Sequence, residues 1–315
     1  MKILFLAGFV FLVQLNAQAA KKELWIYTSV YKEFIGPIEK AFEAKHPEVD
    51  VQVYQGGSEK IQAKLEAELS AGKPKADILM TSDPFWSRSL VKRGLSLSRK
   101  GKNDLEENYI SLMVLIVHRD LAPEKRPSSF SDLNKPEFQG LIQMASPLES
   151  GTAFSTVAYL QNKFGWAFFE GLKKNKISSS GGNSTVIQKV ESGEKKVGIV
   201  LLENALAAKK RGSPIEVVYP ADGSIPIPSV QVILKSTPVP DLAFLFSDFI
   251  LSNQGQGYLL NGYMYSVLKS VAAPEGAEPL AKVTKKSTPW TPELLEKIGS
   301  NSKEIKKKFS ELILE

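Results

Sequence analysis

Cysteine is absent from the 315-residue chain, and histidine occurs only twice. Thiol catalysis, disulfide scaffolds and cysteine-bound zinc are thereby excluded. Charge of one sign is not in large excess either. Forty Lys and Arg against 34 Asp and Glu give a formal charge of +6, too diffuse at this length to mark a nucleic-acid surface, so no nucleic-acid partner is expected. No apolar run reaches the roughly 20 residues that a membrane-spanning helix needs. The run from Ile3 to Val13 follows Lys2 and precedes Ala17-Gln18-Ala19, the pattern of a secretory signal peptide over residues 1–19. The mature chain is expected to start at Ala20, outside the cytoplasm. With 43% apolar and 23% charged residues, the bulk has the composition of a globular protein that buries a real core.

Strand and helix patterns alternate from Lys22 onward. Leu24-Trp25-Ile26-Tyr27 reads as a strand, and Tyr31, Phe34, Ile35, Ile38, Ala41 and Phe42 fall on one face of the helix that follows. Val49, Val51 and Val53 alternate with polar residues as in a half-buried strand. Ile61, Leu65 and Leu69 mark a second helix, stopped by Gly72 and Pro74. Ala76–Met80 and Phe85–Val91 complete a βαβαβ unit, for which a parallel sheet is expected. The second half repeats the grammar. Strands are predicted over Leu112–Val117, Leu141–Ala145, Val197–Leu202, Ile215–Tyr219 and Val230–Leu234, with helices between and after them and a helical tail from Thr291.

An open parallel sheet binds ligands at the carboxyl ends of its strands. The segments that follow the strands are Thr28-Ser29, Gly56-Gly57-Ser58, Thr81-Ser82-Asp83-Pro84, Ser150-Gly151-Thr152 and Ser180-Gly181-Gly182-Asn183-Ser184-Thr185. Each presents hydroxyls at a helix start, where backbone N–H groups lack intrahelical partners and the helix dipole is positive. Such ends hold anions without any Arg. Ser, Thr and Asp are also the ordinary N-caps of any helix, and for each segment alone both readings stand. Glycine beside the hydroxyl at 57, 151 and 182 permits close backbone approach, which capping does not require.

Enzyme signatures are missing. There is no G-x-S-x-G elbow, no H-E-x-x-H and no G-x-x-x-x-G-K-[ST] loop. Ser29-Val30-Tyr31-Lys32 matches S-x-x-K, which would make Ser29 and Lys32 a hydrolase pair, but the companion S-D-N and K-T-G motifs are absent. His46 and His118 lack ligand spacing, so structural roles are expected for both and no metal is.

These segments, read together, resemble the periplasmic solute-binding proteins of ABC importers, in the type II group of ferric-iron, thiamine, phosphonate and sugar-phosphate binders. The landmarks are LWIYTS, ADILMTSDP, SSFSDLNKPEFQGLIQMASPLESGTAF, GGNSTVIQKVESGEKKVGIVLLENALAAKKRGSP and FSDFILSNQGQ. The resemblance implies an α/β fold of two lobes, each a mostly parallel sheet flanked by helices. Residues 20–110 and 226–275 would form one lobe and 111–225 and 276–315 the other. It further implies a small-molecule solute in the cleft between them, an ABC permease as partner, no enzymatic activity, no cofactor and a monomer. Iron-binding members carry a tyrosine pair where this chain reads Leu202-Glu203-Asn204, and ferric iron prefers phenolate and carboxylate donors. The phosphonate or sugar-phosphate end of the group is therefore expected. Ser29, Gly57, Ser58, Ser82, Ser150, Gly151, Thr152 and Ser184 would surround the solute, with Glu203 accepting from an amine or sugar hydroxyl or, equally, serving as a helix-start carboxylate. Tyr27 and Tyr31 are candidate ring contacts that core packing explains as well. The alternatives are ferric iron bound on the same fold, a cationic solute such as thiamine or a polyamine held by Asp83, Trp86, Glu203 and Tyr219, and a ligand-sensing role beside a membrane receptor.

Overall fold

The computed structural model describes residues 20–101 and 104–315, so the signal-peptide expectation for residues 1–19 lies outside the described residues. β1 (Lys22–Thr28), α1 (Lys32–Lys45), β2 (Val49–Gln55), α2 (Ser58–Ser70), β3 (Ile78–Thr81) and α3 (Pro84–Lys92) follow the predicted alternation. β1 pairs in parallel with β2 on one side and β3 on the other. Successive side chains of a strand point to opposite faces, and here both faces are covered. Leu24 and Ile26 pack with Ile35, Ile38 and Phe42 of α1, while Tyr27 packs with Ile61 and Leu65 of α2 and Leu90 of α3.

The next elements are β4 (Glu106–His118), β5 (Ile142–Met144), α4 (Gly151–Phe164), α5 (Trp166–Lys174), β6 (Ser178–Ser179), α6 (Asn183–Glu191), β7 (Val197–Leu201), α7 (Leu202–Lys210), β8 (Ile215–Val218) and β9 (Ile225–Ile233). β5 pairs in parallel with β6 and β7, and β4 runs antiparallel to β7 and β8. One face of this group carries Phe154 and Val157 of α4 with Phe168 and Phe169 of α5. The other carries Val186 and Ile187 of α6 with Ala205 and Ala208 of α7.

β4 and β9 join the two groups into one nine-stranded sheet of order β2-β1-β3-β9-β4-β7-β5-β6, with β8 beside β4. Both strands are longer than the hydrophobic pattern predicts. β4 begins in the polar stretch Glu106-Glu107-Asn108 and shifts register between Glu107 and Tyr109. β9 includes Pro226 and Pro228, residues that argue against a central strand. They fit because β3 pairs with β9 only from Val230 onward, so the two prolines, spaced to face the same edge, lie beyond the reach of β3.

α8 (Pro240–Leu251) returns to the first group through Phe246 and Ile250. α9 (Asn253–Asn261) is a separate helix that Gly255 and Gly257 conceal from pattern reading; the Ser252 hydroxyl accepts from Gly255 N–H at its start. α10 (Leu280–Val283), α11 (Pro292–Ser300) and α12 (Ser302–Phe309) complete the helices. The last two bury Leu295, Ile298, Ile305 and Phe309 against the second group. No helix among the described residues is long and apolar enough to cross a membrane.

Candidate functional site

Strands β1, β2, β3, β5, β6 and β7 direct their carboxyl ends toward one cavity of about 270 Å³ between the two groups. Its walls include Ser29, Gly57, Ser58, Ser82, Ser150, Gly151, Thr152, Ser184 and Glu203, so the structure brings together all nine residues singled out from the sequence. It adds residues that pattern reading passed over, among them Lys60, Tyr109 and Met264, and Asn183 from the last of the strand-end segments. Tyr31 lines the cavity as well, whereas Tyr27 is core, its hydroxyl donating to Glu68 at 2.7 Å.

How each helix start is capped separates the two readings left open above. α3 and α4 are capped by their own side chains: Asp83 accepts from the N–H groups of Phe85 and Trp86, and Ser150 accepts from Ala153 N–H. α1, α2, α6 and α7 start at Tyr31, Gly57, Gly182 and Leu201 with no side-chain cap. All four of these residues line the cavity. Helix starts whose donors lack a cap carry an unsatisfied positive end, and four of them meet here.

The glycines differ in what they allow. A β-carbon at Gly151 would lie 2.7 Å from Ser58 Cβ, and one at Gly57 would lie 2.8 Å from the Glu149 carbonyl oxygen. At these two positions the close neighbour is the opposing wall of the cavity, so glycine there lets the starts of α2 and α4 touch. Gly182 has open space around it.

Hydroxyls form the floor and a bridge. Ser29 Oγ accepts from Ser82 N–H at 3.1 Å, and Ser82 Oγ lies 3.1 Å from the Tyr109 hydroxyl. Ser184 Oγ donates to the Tyr31 hydroxyl at 3.5 Å, linking the starts of α1 and α6. Asn183 donates to Thr152 Oγ1 and accepts from Leu201 N–H, fixing the start of α6 against α4 and β7.

Glu203 is 4% exposed; its Oε1 accepts from Ser111 Oγ at 2.6 Å, and its Oε2 is buried without a hydrogen-bond partner. Burial pushes this carboxyl up to about 7, against the smaller opposing pull of Ser111 and nearby backbone N–H groups. Burial likewise pushes Asp83 up to about 6, although two backbone donors hold it. The unfolded chain releases both protons at ordinary carboxyl values of 4.5 and 3.8, before the folded chain does. Folding stability contributed by these groups is therefore complete in acid and falls as the pH rises from about 4 to about 7. Glu203→Gln is expected to be more stable than the parent at pH 8, by about 3 kcal/mol, and nearly equal to it at pH 4. Urea unfolding at the two pH values checks this.

Of the four residues of the cationic-solute alternative, only Glu203 reaches the cavity. Asp83 caps α3, Trp86 Nε1 donates to Glu66, and the Tyr219 hydroxyl accepts from Glu278 N–H. His46 ends α1, and His118 Nδ1 accepts from Asp120 N–H. Among the described residues no cluster of three or more His, Asp or Glu stands ready for a metal ion. The S-x-x-K residue Ser29 serves the hydroxyl floor just described.

The family model for bacterial extracellular solute-binding proteins matches residues 26–261. The periplasmic binding protein AfuA from Actinobacillus pleuropneumoniae, solved with fructose-6-phosphate bound, is 26% identical and superposes with a TM-score of 0.81 over 94% of this chain and 99% of its own. Iron-bound HitA from Pseudomonas aeruginosa, 23% identical with a TM-score of 0.77 over 91% and 99% of the two chains, shares the fold. A Salmonella typhimurium protein provisionally named a 2-aminoethylphosphonate-binding periplasmic protein is 21% identical over 225 residues, 66% of each chain. The chain therefore belongs to the bacterial extracellular solute-binding proteins and has the two-lobed, type II fold of the periplasmic binding proteins that serve ABC importers.

Proposed function

We propose that this protein is exported behind its signal peptide, captures a small solute bearing a phosphonate- or phosphate-type oxyanion in the cavity between its lobes, and delivers it unaltered to an ABC permease, acting as a monomer without a cofactor. The observation that carries this reading is the meeting of four uncapped helix starts on one cavity. Donors that no N-cap side chain satisfies, next to four positive dipole ends, are what an oxyanion needs. Ser29, Gly57, Ser58, Ser82, Ser150, Gly151, Thr152 and Ser184 would contact it. In support, fructose-6-phosphate bound to AfuA and the phosphonate in the Salmonella protein's name are both of this chemical kind.

In this reading residues 20–110 with 226–275 form one lobe and residues 111–225 with 276–315 the other, with β4 and β9 as the crossing strands. Three hydrophobic clusters that fall wholly within one or the other lobe favour that division, while Phe85 and Ile227 join the main cluster of the second lobe, and Tyr263 and Tyr265 pack with Leu112 and Leu202 across the boundary. Ligand-stripped protein titrated calorimetrically with alkylphosphonates, sugar phosphates, thiamine and ferric citrate is the test. Binding confined to the first two classes is expected. Tight binding of iron alone, with a visible charge-transfer band, would overturn the reading.

Closure of the cleft would rest partly on Lys306 of α12. Its Nζ lies 2.7 Å from Glu59 Oε1 in the first turn of α2 and 4.8 Å from the centre of the Phe154 ring on α4. Both charged side chains are mostly shielded from water, at 21% and 16% exposure. Lys306→Met is expected to weaken solute binding about fivefold, corresponding to ~1 kcal/mol for a partly screened pair. The same titration measures it.

A further inference from the structure

Three of the four tryptophans donate their indole N–H within the protein: Trp25 to Glu23, Trp86 to Glu66 and Trp290 to the Pro226 carbonyl oxygen. The fourth, Trp166 at the start of α5, has ring contacts with Phe169 and Lys308, but its N–H has no acceptor among the described residues. A half-buried indole ordinarily finds one. Trp166 is half-buried on the wall of a second cavity of about 260 Å³, close in size to the one between the lobes. This cavity lies between the end of α4 with the start of α5 and the end of α11 with the start of α12. All of its lining belongs to the second lobe as divided above, away from the interlobe cleft.

Ile298 and Ile305, 3% and 8% exposed, give the cavity an apolar patch beside the indole. Around it stand three amides, Gln161, Asn162 and Asn301, with the carboxylate of Glu304 and the ammonium groups of Lys297 and Lys308. Among these polar side chains the one hydrogen bond to a described residue runs from Asn301 Nδ2 to the Lys297 carbonyl oxygen, at 2.8 Å. Lys308 Nζ lies 5.0 Å from the centre of the Trp166 ring, a contact that is weak at an exposed site. A lining of mixed sign selects against strong ions, since an anion meets Glu304 and a cation meets two lysines. A hydrocarbon would turn the amides away from water without a partner. A sugar ring has hydroxyls that both donate and accept, as amides do, and a C–H face that suits an indole and two isoleucines. We propose that this cavity is a second binding site, for an uncharged saccharide, with Trp166 as its platform and donor and with Glu304 and the three amides holding ring hydroxyls. The site stands apart from the oxyanion reading, because no residue lines both cavities.

The indole N–H resonances of the ligand-stripped mature chain, followed by nuclear magnetic resonance, test it, with Trp166→Phe identifying the Trp166 signal. Glucose and N-acetylglucosamine, which carry no oxyanion, are the probes; benzoate and benzylammonium are the ionic controls. Each sugar is expected to shift the Trp166 signal saturably, with half-saturation at about 1–10 mM, as a few exchanged hydrogen bonds and one ring contact would give. The other three indole signals should stay in place. Glu304→Ala should raise the half-saturating concentration about fivefold, and the three unmoved signals report that this variant is folded. Half-saturation by either ionic control below that of both sugars would overturn the saccharide assignment. A linear, unsaturated shift with every probe, or one that Glu304→Ala leaves unchanged, would overturn the site.

Discussion

Replacing Gly151 with valine is expected to lower solute affinity by about a thousandfold while leaving the unliganded protein folded. Gly151 is the first residue of α4, and even a β-carbon there would lie 2.7 Å from Ser58 Cβ, 2.9 Å from Ser58 Oγ and 3.2 Å from Asp83 Cβ. Real side chains do not approach so closely, and neither Ser58 nor Asp83 can move aside without taking the start of α2 or α3 with it. α2 packs on the β1–β3 side through Ile61 and Leu65. α4 packs on the β5–β7 side through Phe154 and Val157. The strain is therefore relieved by parting the two halves, at the cost of the edge-to-face contact between Phe85 on α3 and Phe154 on α4, whose ring centres lie 5.4 Å apart. A solute held in the parted cleft loses one wall, and with it at least two hydrogen bonds to a charged group, each contributing about 1.5–3 kcal/mol. Titration measures the loss, and small-angle scattering should show the solute no longer compacting the protein. The steric cause is checked by Ser58→Gly placed on Gly151→Ala, where removal of the clashing carbon should recover part of the affinity. Full affinity in Gly151→Val would mean that the solute does not need both walls.

Much of this architecture is legible in the order of residue types, because each rule involved is local. Val49, Val51 and Val53 announce a half-buried strand, and β2 runs Val49–Gln55. Asp83 followed by Pro84 announces a helix start, and α3 begins there with Asp83 as its cap. Eight of the nine candidate site residues follow from one rule, that an open sheet binds at the carboxyl ends of its strands, the ninth, Glu203, comes from the family resemblance, and all nine line one cavity. What escapes is whatever depends on a distant partner. The first half of β9 is hidden by Pro226 and Pro228, which are tolerated only because β3 stops short of them. Lys60 and Met264 carry no local signature of a cavity wall, since their placement depends on which helices abut. The role of Gly151 is hidden for the same reason: nothing near residue 151 in the sequence states that Ser58 stands against it.

Gly182→Asp separates anion binding from helix capping most sharply, because the two predict opposite signs. Gly182 is the N-cap of α6, with extended dihedrals of −102° and −170° that any residue adopts, and no atom lies within 4 Å of a β-carbon placed there. An aspartate therefore fits without strain and can accept from the free donors of the first turn, adding a few tenths of a kcal/mol as a cap and a similar amount through the helix dipole. If those donors existed only to await a cap, the variant would be slightly more stable and would bind solute as before. If they hold an oxyanion, the new carboxylate occupies its place. Two like charges ~4 Å apart repel by about 4 kcal/mol at the effective dielectric of a protein site, so affinity should fall by about a thousandfold even as the melting temperature rises. Gly182→Asn supplies the same cap without the charge and should retain most of the binding. Equal affinities for the aspartate and asparagine variants would remove the electrostatic argument, because only the charge distinguishes them at a position where both side chains have room.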